Sequence, residues 1–343
     1  MKLIALGKDA QHVCLRYRID PVRTALRNDG HWFGVQAMPG TPWGRLALYR
    51  ELRHAHVVIV QRRLLSTWEV PILRRVSKHL IFDFDDALFQ KNSYQTQSKA
   101  PRRLARFKAM VQAADQVFAG NAYLAEYASQ FTTANKIVLM PTCVDVDRYP
   151  LAAHSRQGAG VRLVWIGSSS TLRGLEQRAD LWNSLGRALP GLELHIICDR
   201  FPNWPDIKVV PVPWSAATEV QHLSQCDIGL AWMPDDNWSQ GKCGLKVLQY
   251  QAAGLPVVTN PIGVNRDLVI PEQNGYWANS KEDWIAAIRT LMHDAALRRQ
   301  MGQQGRQQVE ATYSTDQLLQ RWKTALQLDS SASTTSNDRI AAA

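Results

Sequence analysis

The stretch QGKCGLKVLQYQAAGLPVVTNPIGVNRDLVIPEQNGYWAN, Gln240–Asn279, decides how this 343-residue chain is read. It runs as a loop, a helix, a Gly-Leu-Pro turn, a strand and a glycine-bearing loop. A helix beginning near Gly244 aims unpaired backbone N–H groups and a positive dipole end at whatever lies before it, which suits a phosphate. Lys242 and Lys246 flank that terminus. The alternative is a helix packed by Leu245, Val247, Leu248 and Ala252, with the two lysines on its surface.

Outward from this segment, short apolar runs alternate with longer amphipathic stretches. KLIALG, HVVIVQ, LIFDF, QVFAG and KIVLMP occupy the first half, and RLVWIG, LELHIICD, IKVVPV, DIGLAWMP and PVVTN the second. Strands alternating with helical patterns mean βαβ units and parallel sheets. The rhythm lapses at DRYPLAAHSRQGAG, Asp147–Gly160, so the chain divides into two Rossmann-like units. Residues 1–150 and 151–312 are the expected domains, 313–328 a terminal helix crossing back to the first, and 329–343 a disordered tail poor in anything to bury. Ligands of open α/β sheets sit beyond the carboxyl ends of strands. Three loops there carry chemistry: the one after HLIFDF, GSSSTLRG, and PDDNWSQGKCG.

Composition narrows the class. With 45% hydrophobic and 20% charged residues the chain suits a soluble globular protein, and it has no apolar run long enough to span a bilayer. MKLIALGKD reads as a first buried strand rather than a signal peptide. Five scattered cysteines form no metal-spaced cluster and fit reduced thiols in a cytoplasmic setting. A net charge of +10 favours an anionic partner, but no nucleic-acid-binding motif is present. Nucleic acid is therefore not an expected partner.

The decisive segment resembles the family 4 glycosyltransferases of the GT-B architecture, in GLKVLQYQAAGLPVVTNPIGVNRDLV and the following NGYW. ADQVFAGNAYLAEYA, PTCVDVDRYP and LRRQMGQQGRQQVEATYS are similar to further elements of that family. The resemblance implies two Rossmann-like domains facing across a cleft, and a hexosyltransferase-like enzyme. It would move a sugar from a nucleotide-diphosphate donor to a glycan or lipid-linked acceptor, with retention of configuration, no metal and no cofactor beyond the donor. A peripheral position on an anionic inner membrane face would suit a lipid-linked acceptor.

The chain departs from the family pattern at two acids that contact the donor sugar and ribose. Gln249 stands at the second and Gly241 at the first. Gln249 can still hydrogen-bond a ribose. The sugar contact would pass to backbone N–H groups of Lys242–Gly244 or to Asp235 and Asp236. The implied donor-binding set is Gly167, Ser168, Ser169, Gly241, Cys243, Gly244 and Gln249. Arg173, Lys246 and Lys242 would stabilise charge on the departing phosphate, with Asp85 beside the reacting sugar. Arg16, Arg18 and Asp86 are the expected acceptor contacts, and Trp214, Trp238 and Trp277 are candidates to stack on a ring.

Two other readings stand beside this one. Gln249 and the displaced acid fit a catalytically silent GT-B module that binds a nucleotide or glycan. HLIFDFDDALFQ, His79–Gln90, is similar to the nucleophile motif of haloacid-dehalogenase-type phosphatases, with Asp83 as nucleophile, Asp85 as acid/base, Ser168 on phosphate, and Asp235 and Asp236 on metal.

Overall fold

The computed structural model describes residues 1–8, 13–94 and 100–328. Twelve strands are present among them. In the first half these are β1 (Lys2–Gly7), β2 (Trp32–Ala37), β3 (Val57–Gln61), β4 (His79–Phe84), β5 (Gln116–Ala119) and β6 (Ile137–Leu139). In the second they are β7 (Arg162–Ile166), β8 (Glu193–Cys198), β9 (Lys208–Pro213), β10 (Ile228–Ala231), β11 (Val257–Thr259) and β12 (Gly275–Trp277). They build two six-stranded parallel sheets, in the orders β2-β1-β3-β4-β5-β6 and β12-β11-β10-β7-β8-β9. Helices cover both faces, which is why β3, central in its sheet, is apolar and buried almost throughout rather than alternating.

Two strands fall outside the ten apolar runs. β2 is an edge strand in which only Phe33 is fully buried, so its sequence, WFGVQA, lacks the continuous apolar signature. β12 is the three-residue GYW, read from sequence as loop; its pairing with β11 at the opposite sheet edge makes it a strand. Gly275 belongs there because a Cβ would sit 2.0 Å from the Val257 carbonyl oxygen.

Both sheets change direction beside their first strand. β1 lies between β2 and β3, and β7 between β8 and β10, so crossovers leave in opposite directions and open a crevice at the carboxyl end of each pair. After Tyr313 the chain returns to the first sheet. Helix Thr315–Ala325 packs on helix Asp20–Asn28, and Trp322 is fully buried with its ring edge-on to Phe118, centroids 5.0 Å apart. The tail expected from residue 329 onward lies outside the described residues. No helix among the described residues is long and apolar enough to cross a membrane.

One buried ion pair ties helix Val13–Arg18 to the end of β4. Arg18 and Asp83 are each 1% exposed. Arg18 Nε donates to both Asp83 oxygens at 3.1 and 2.9 Å, a terminal nitrogen donates to the same carboxylate, and Nη1 donates to the Met140 carbonyl at 2.8 Å. Two expectations fail here for one reason. Arg18 cannot reach an acceptor, and Asp83 cannot be a phosphatase nucleophile, because each is sealed in the interior by the other. Arg18→Ala should lower unfolding free energy in urea by about 3–5 kcal/mol, since it strands a buried carboxylate, and Arg18→Met with Asp83→Leu should recover much of the loss.

Candidate active site

A cavity of about 600 Å³ lies between the two crevices, lined by both domains. Its floor on the second-domain side is the start of helix Leu245–Ala252. Gly244, the residue before that helix, has φ +67°, and a Cβ there would meet the Leu268 Cδ1 at 2.3 Å. Glycine is required on both counts. The same helix ends at Gly254, φ +71°, in the Gly-Leu-Pro turn.

Lys246 occupies the first turn of this helix and lines the cavity. Its Nζ lies 4.6 Å from the centre of the Trp165 ring. Among the described residues it has no carboxylate partner. Burial, and then repulsion from Lys242, pushes its pKa down from the usual lysine value to about 8. Gly167 and Ser168, following β7, face the same space.

Lys242 is differently placed. Its Nζ sits 3.4 Å from the centre of the Trp238 ring and 3.1 and 3.0 Å from the two oxygens of Asp86, in the other domain. Asp86 also accepts from Arg62 at 2.7 Å, and Arg62 lies 3.1 Å from Asp85. Burial alone would raise the pKa of Asp85; Arg62, Arg18 and Lys242 outweigh it and hold the carboxyl below its ordinary value. Cys243 closes the seam, its thiol donating to the Asp85 carbonyl at 3.3 Å, while Asn121 Nδ2 donates to the Gln240 and Lys242 carbonyls at 2.9 Å.

Gln249 lines the far side of the cavity. Its Nε2 donates to the Tyr17 hydroxyl at 3.2 Å and the Tyr149 hydroxyl at 3.3 Å. Among the described residues its Oε1 accepts no hydrogen bond, and neither does the buried Thr142 Oγ1 make one, although both residues face the cavity. Tyr17 reaches Glu219 at 3.4 Å, and Glu219 also takes Trp214 Nε1 at 2.7 Å and Arg16 at 2.6 Å.

The remaining expected residues fall elsewhere. Arg173 is exposed on helix Ser169–Glu176 and does not line the cavity. Arg16 is tied to Glu219 behind the cavity wall rather than free for an acceptor. The Ser169 N–H donates to Asp199 at 2.7 Å, so that helix N-terminus already holds a carboxylate, itself kept at a pKa of about 2 by the Cys198 thiol and Ser169. Gly241 packs against Ala87 across the domain seam, and Asp236 caps helix Asn237–Gln240. Trp214 and Trp238 line the cavity; Trp277 does not, its Nε1 donating to the Val269 carbonyl. Arg62 and Glu219 went unnoticed in the sequence. Arg62 has one detectable mark only in three dimensions: a non-glycine φ of +54° just past β3.

Residues 177–324 match a family model described as glycosyl transferase-like. The fold is the GT-B architecture. The Anabaena Alr3699/HepE structure in complex with UDP superposes with a TM-score of 0.69 at 12% identity, covering 96% of this chain and 100% of that one. Sucrose-phosphate synthase from Thermosynechococcus elongatus gives 0.68 at 17% identity, with the same coverage. The lipopolysaccharide outer core galactosyltransferase WaaB, in its apo form, gives 0.65 at 13%, again over 96% and 100% of the two chains. No curated protein matches the chain by sequence.

A half-buried ammonium with no carboxylate beside it among the described residues costs stability. Lys246→Met should therefore raise the melting temperature by a few degrees, measured by calorimetry, a gain of roughly 1–2 kcal/mol.

Proposed function

We propose that this protein transfers a sugar from a nucleotide-diphosphate donor to a hydroxyl of a glycan or lipid-linked acceptor, and that the cavity between the domains is where it does so. The observation that carries the reading is Lys246: a cation in the first turn of a helix, lining the same cavity as Gly167, with no carboxylate partner among the described residues. A diphosphate supplies the missing negative charge. The glycosyl transferase-like match over residues 177–324 and the GT-B fold support the same class.

Chemistry follows from the charges. As the bond between the anomeric carbon and the phosphate oxygen breaks, negative charge grows on the departing phosphate. Lys246, the helix dipole and the backbone N–H groups near Gly244 stabilise that charge more in the transition state than before it. Gly167 lets the phosphates approach the backbone after β7. Gln249 Oε1, its amide nitrogen fixed by two tyrosines, accepts from a ribose hydroxyl. Asp85 stays ionised beside the reacting sugar because Arg62 and Lys242 hold it so.

The acceptor oxygen attacks from the face the phosphate leaves, and its proton passes to the departing phosphate oxygen, retaining configuration. Lys246 and the helix dipole do the work that a metal does in other transferases, so EDTA should leave turnover unchanged. A net charge of +10 draws the protein to the anionic cytoplasmic face of a membrane, where a lipid-linked acceptor is met.

Turnover with a panel of nucleotide sugars tests the reading. Clear nucleotide binding with no transfer or hydrolysis from any donor would instead identify a silent binding module, the outcome Gln249 and Gly241 would then explain. Lys246→Ala should lower kcat by about 10²–10³-fold. Lys246 is cationic below about pH 8 and neutral above it, so kcat/KM for the donor should fall as pH rises through that value. Lys246→Arg should keep activity to higher pH.

A further inference from the structure

A second, smaller pocket of about 200 Å³ opens at the crevice of the first sheet, lined by Lys8, Gln61, Arg62, Arg63 and Leu88. Lys8 follows β1 and Arg62 and Arg63 follow β3; these strands are neighbours, with Leu6 opposite Val60. The pocket therefore sits at the point where the strand order reverses, the position at which open α/β sheets bind ligands. The donor cavity occupies the equivalent point of the second sheet. Arg62 lines both.

The pocket gathers three cations, and among the described residues no carboxylate lines it. Arg62 is partly neutralised by Asp85 and Asp86. Neither Lys8 nor Arg63 makes an ion pair or side-chain hydrogen bond with another described residue. Like charges held together without a counter-charge repel, and an anion between them removes the repulsion.

Gln61 gives an independent sign of a ligand. It is 2% exposed, lines the pocket, and its Nε2 has no hydrogen-bond partner among the described residues. A buried amide donor left unpaired pays its desolvation with no hydrogen bond in return. An oxyanion in the pocket would give that donor its acceptor. The chain also holds Arg62 in the left-handed region, φ +54°, with its N–H donating to the Asp83 carbonyl at 2.8 Å. That backbone conformation is strained for a residue with a Cβ, and it is kept where the two pockets meet.

We propose that this pocket is an oxyanion subsite for the acceptor, in which Lys8, Arg63, Arg62 and the Gln61 amide bind a phosphate or carboxylate that the acceptor carries. The proposal rests on the main cavity being the donor site. The acceptor is then a negatively charged molecule, anchored by its anion at the first-domain crevice, with a hydroxyl reaching past Arg62 toward the donor. The cations expected at Arg16 and Arg18 are replaced in this role by Lys8 after β1 and by Arg62 and Arg63 after β3.

The test is calorimetric titration of inorganic phosphate, and separately of acetate, into the full chain at low ionic strength with saturating UDP, so that the donor cavity is already filled. One or both anions should bind. Arg63→Gln and Lys8→Gln should each weaken binding ~10-fold, and Gln61→Leu by less, with UDP affinity unchanged. Retained UDP affinity also shows that the variants are folded. The ratio of the two affinities identifies the oxyanion. No binding of either anion, or equal binding by the Lys8→Gln/Arg63→Gln chain, overturns the subsite. If UDP itself does not bind the unaltered chain, the donor reading fails. The phosphate titration is then read in Lys246→Met without nucleotide, where dependence on Lys8 and Arg63 still decides the subsite.

Discussion

The ion pair between Lys242 and Asp86 is the contact on which the site depends. It joins the loop after β4 in one domain to the loop before helix Leu245–Ala252 in the other, and Arg62 completes it from β3. Because both sheets place their crevices at carboxyl strand ends, this one bridge sets two switch points face to face. It also uses up the charge of Lys242. Lys246, one turn further along, has no carboxylate partner among the described residues, and an unneutralised cation attracts an anion where a paired one does not.

Neutralisation is uneven throughout this region, and the unevenness carries the functional reading. Arg18 is paired with Asp83 and the Met140 carbonyl, and Arg16 with Glu219. Arg62 is divided between Asp85 and Asp86, while Lys8, Arg63 and Lys246 make no ion pair with another described residue. The paired cations hold the architecture in place. The cations without an ion-pair partner among the described residues lie at the two crevices.

Much of this fold can be read from the chain itself. Ten of the twelve strands coincide with apolar runs, because a strand covered by helices on both faces must be apolar on both. β2 and β12 escape because edge strands bury less: WFGVQA is mostly half-exposed, and GYW is too short to show any pattern. The segment from Gln240 to Asn279 is legible for a different reason. Its glycines sit where backbone geometry admits nothing larger, at Gly244, Gly254 and Gly275, so the turn, cap and close approach are written locally.

The site is only half legible. Gly167, Lys246 and Gln249 reach the cavity because their loops and helix deliver them there by local geometry. Arg173 does not, since the helix that carries it turns the side chain outward. Arg16, Arg18, Arg62 and Arg63 look interchangeable in sequence, four arginines in loops or short helices after strands. Sequence by itself determined the alternating α/β plan, the helix that begins after Gly244 and the excess of positive charge. Only the tertiary structure decided which of those charges meet a carboxylate, because Arg18 with Asp83 and Lys242 with Asp86 are pairings between distant parts of the chain, and no local pattern encodes them.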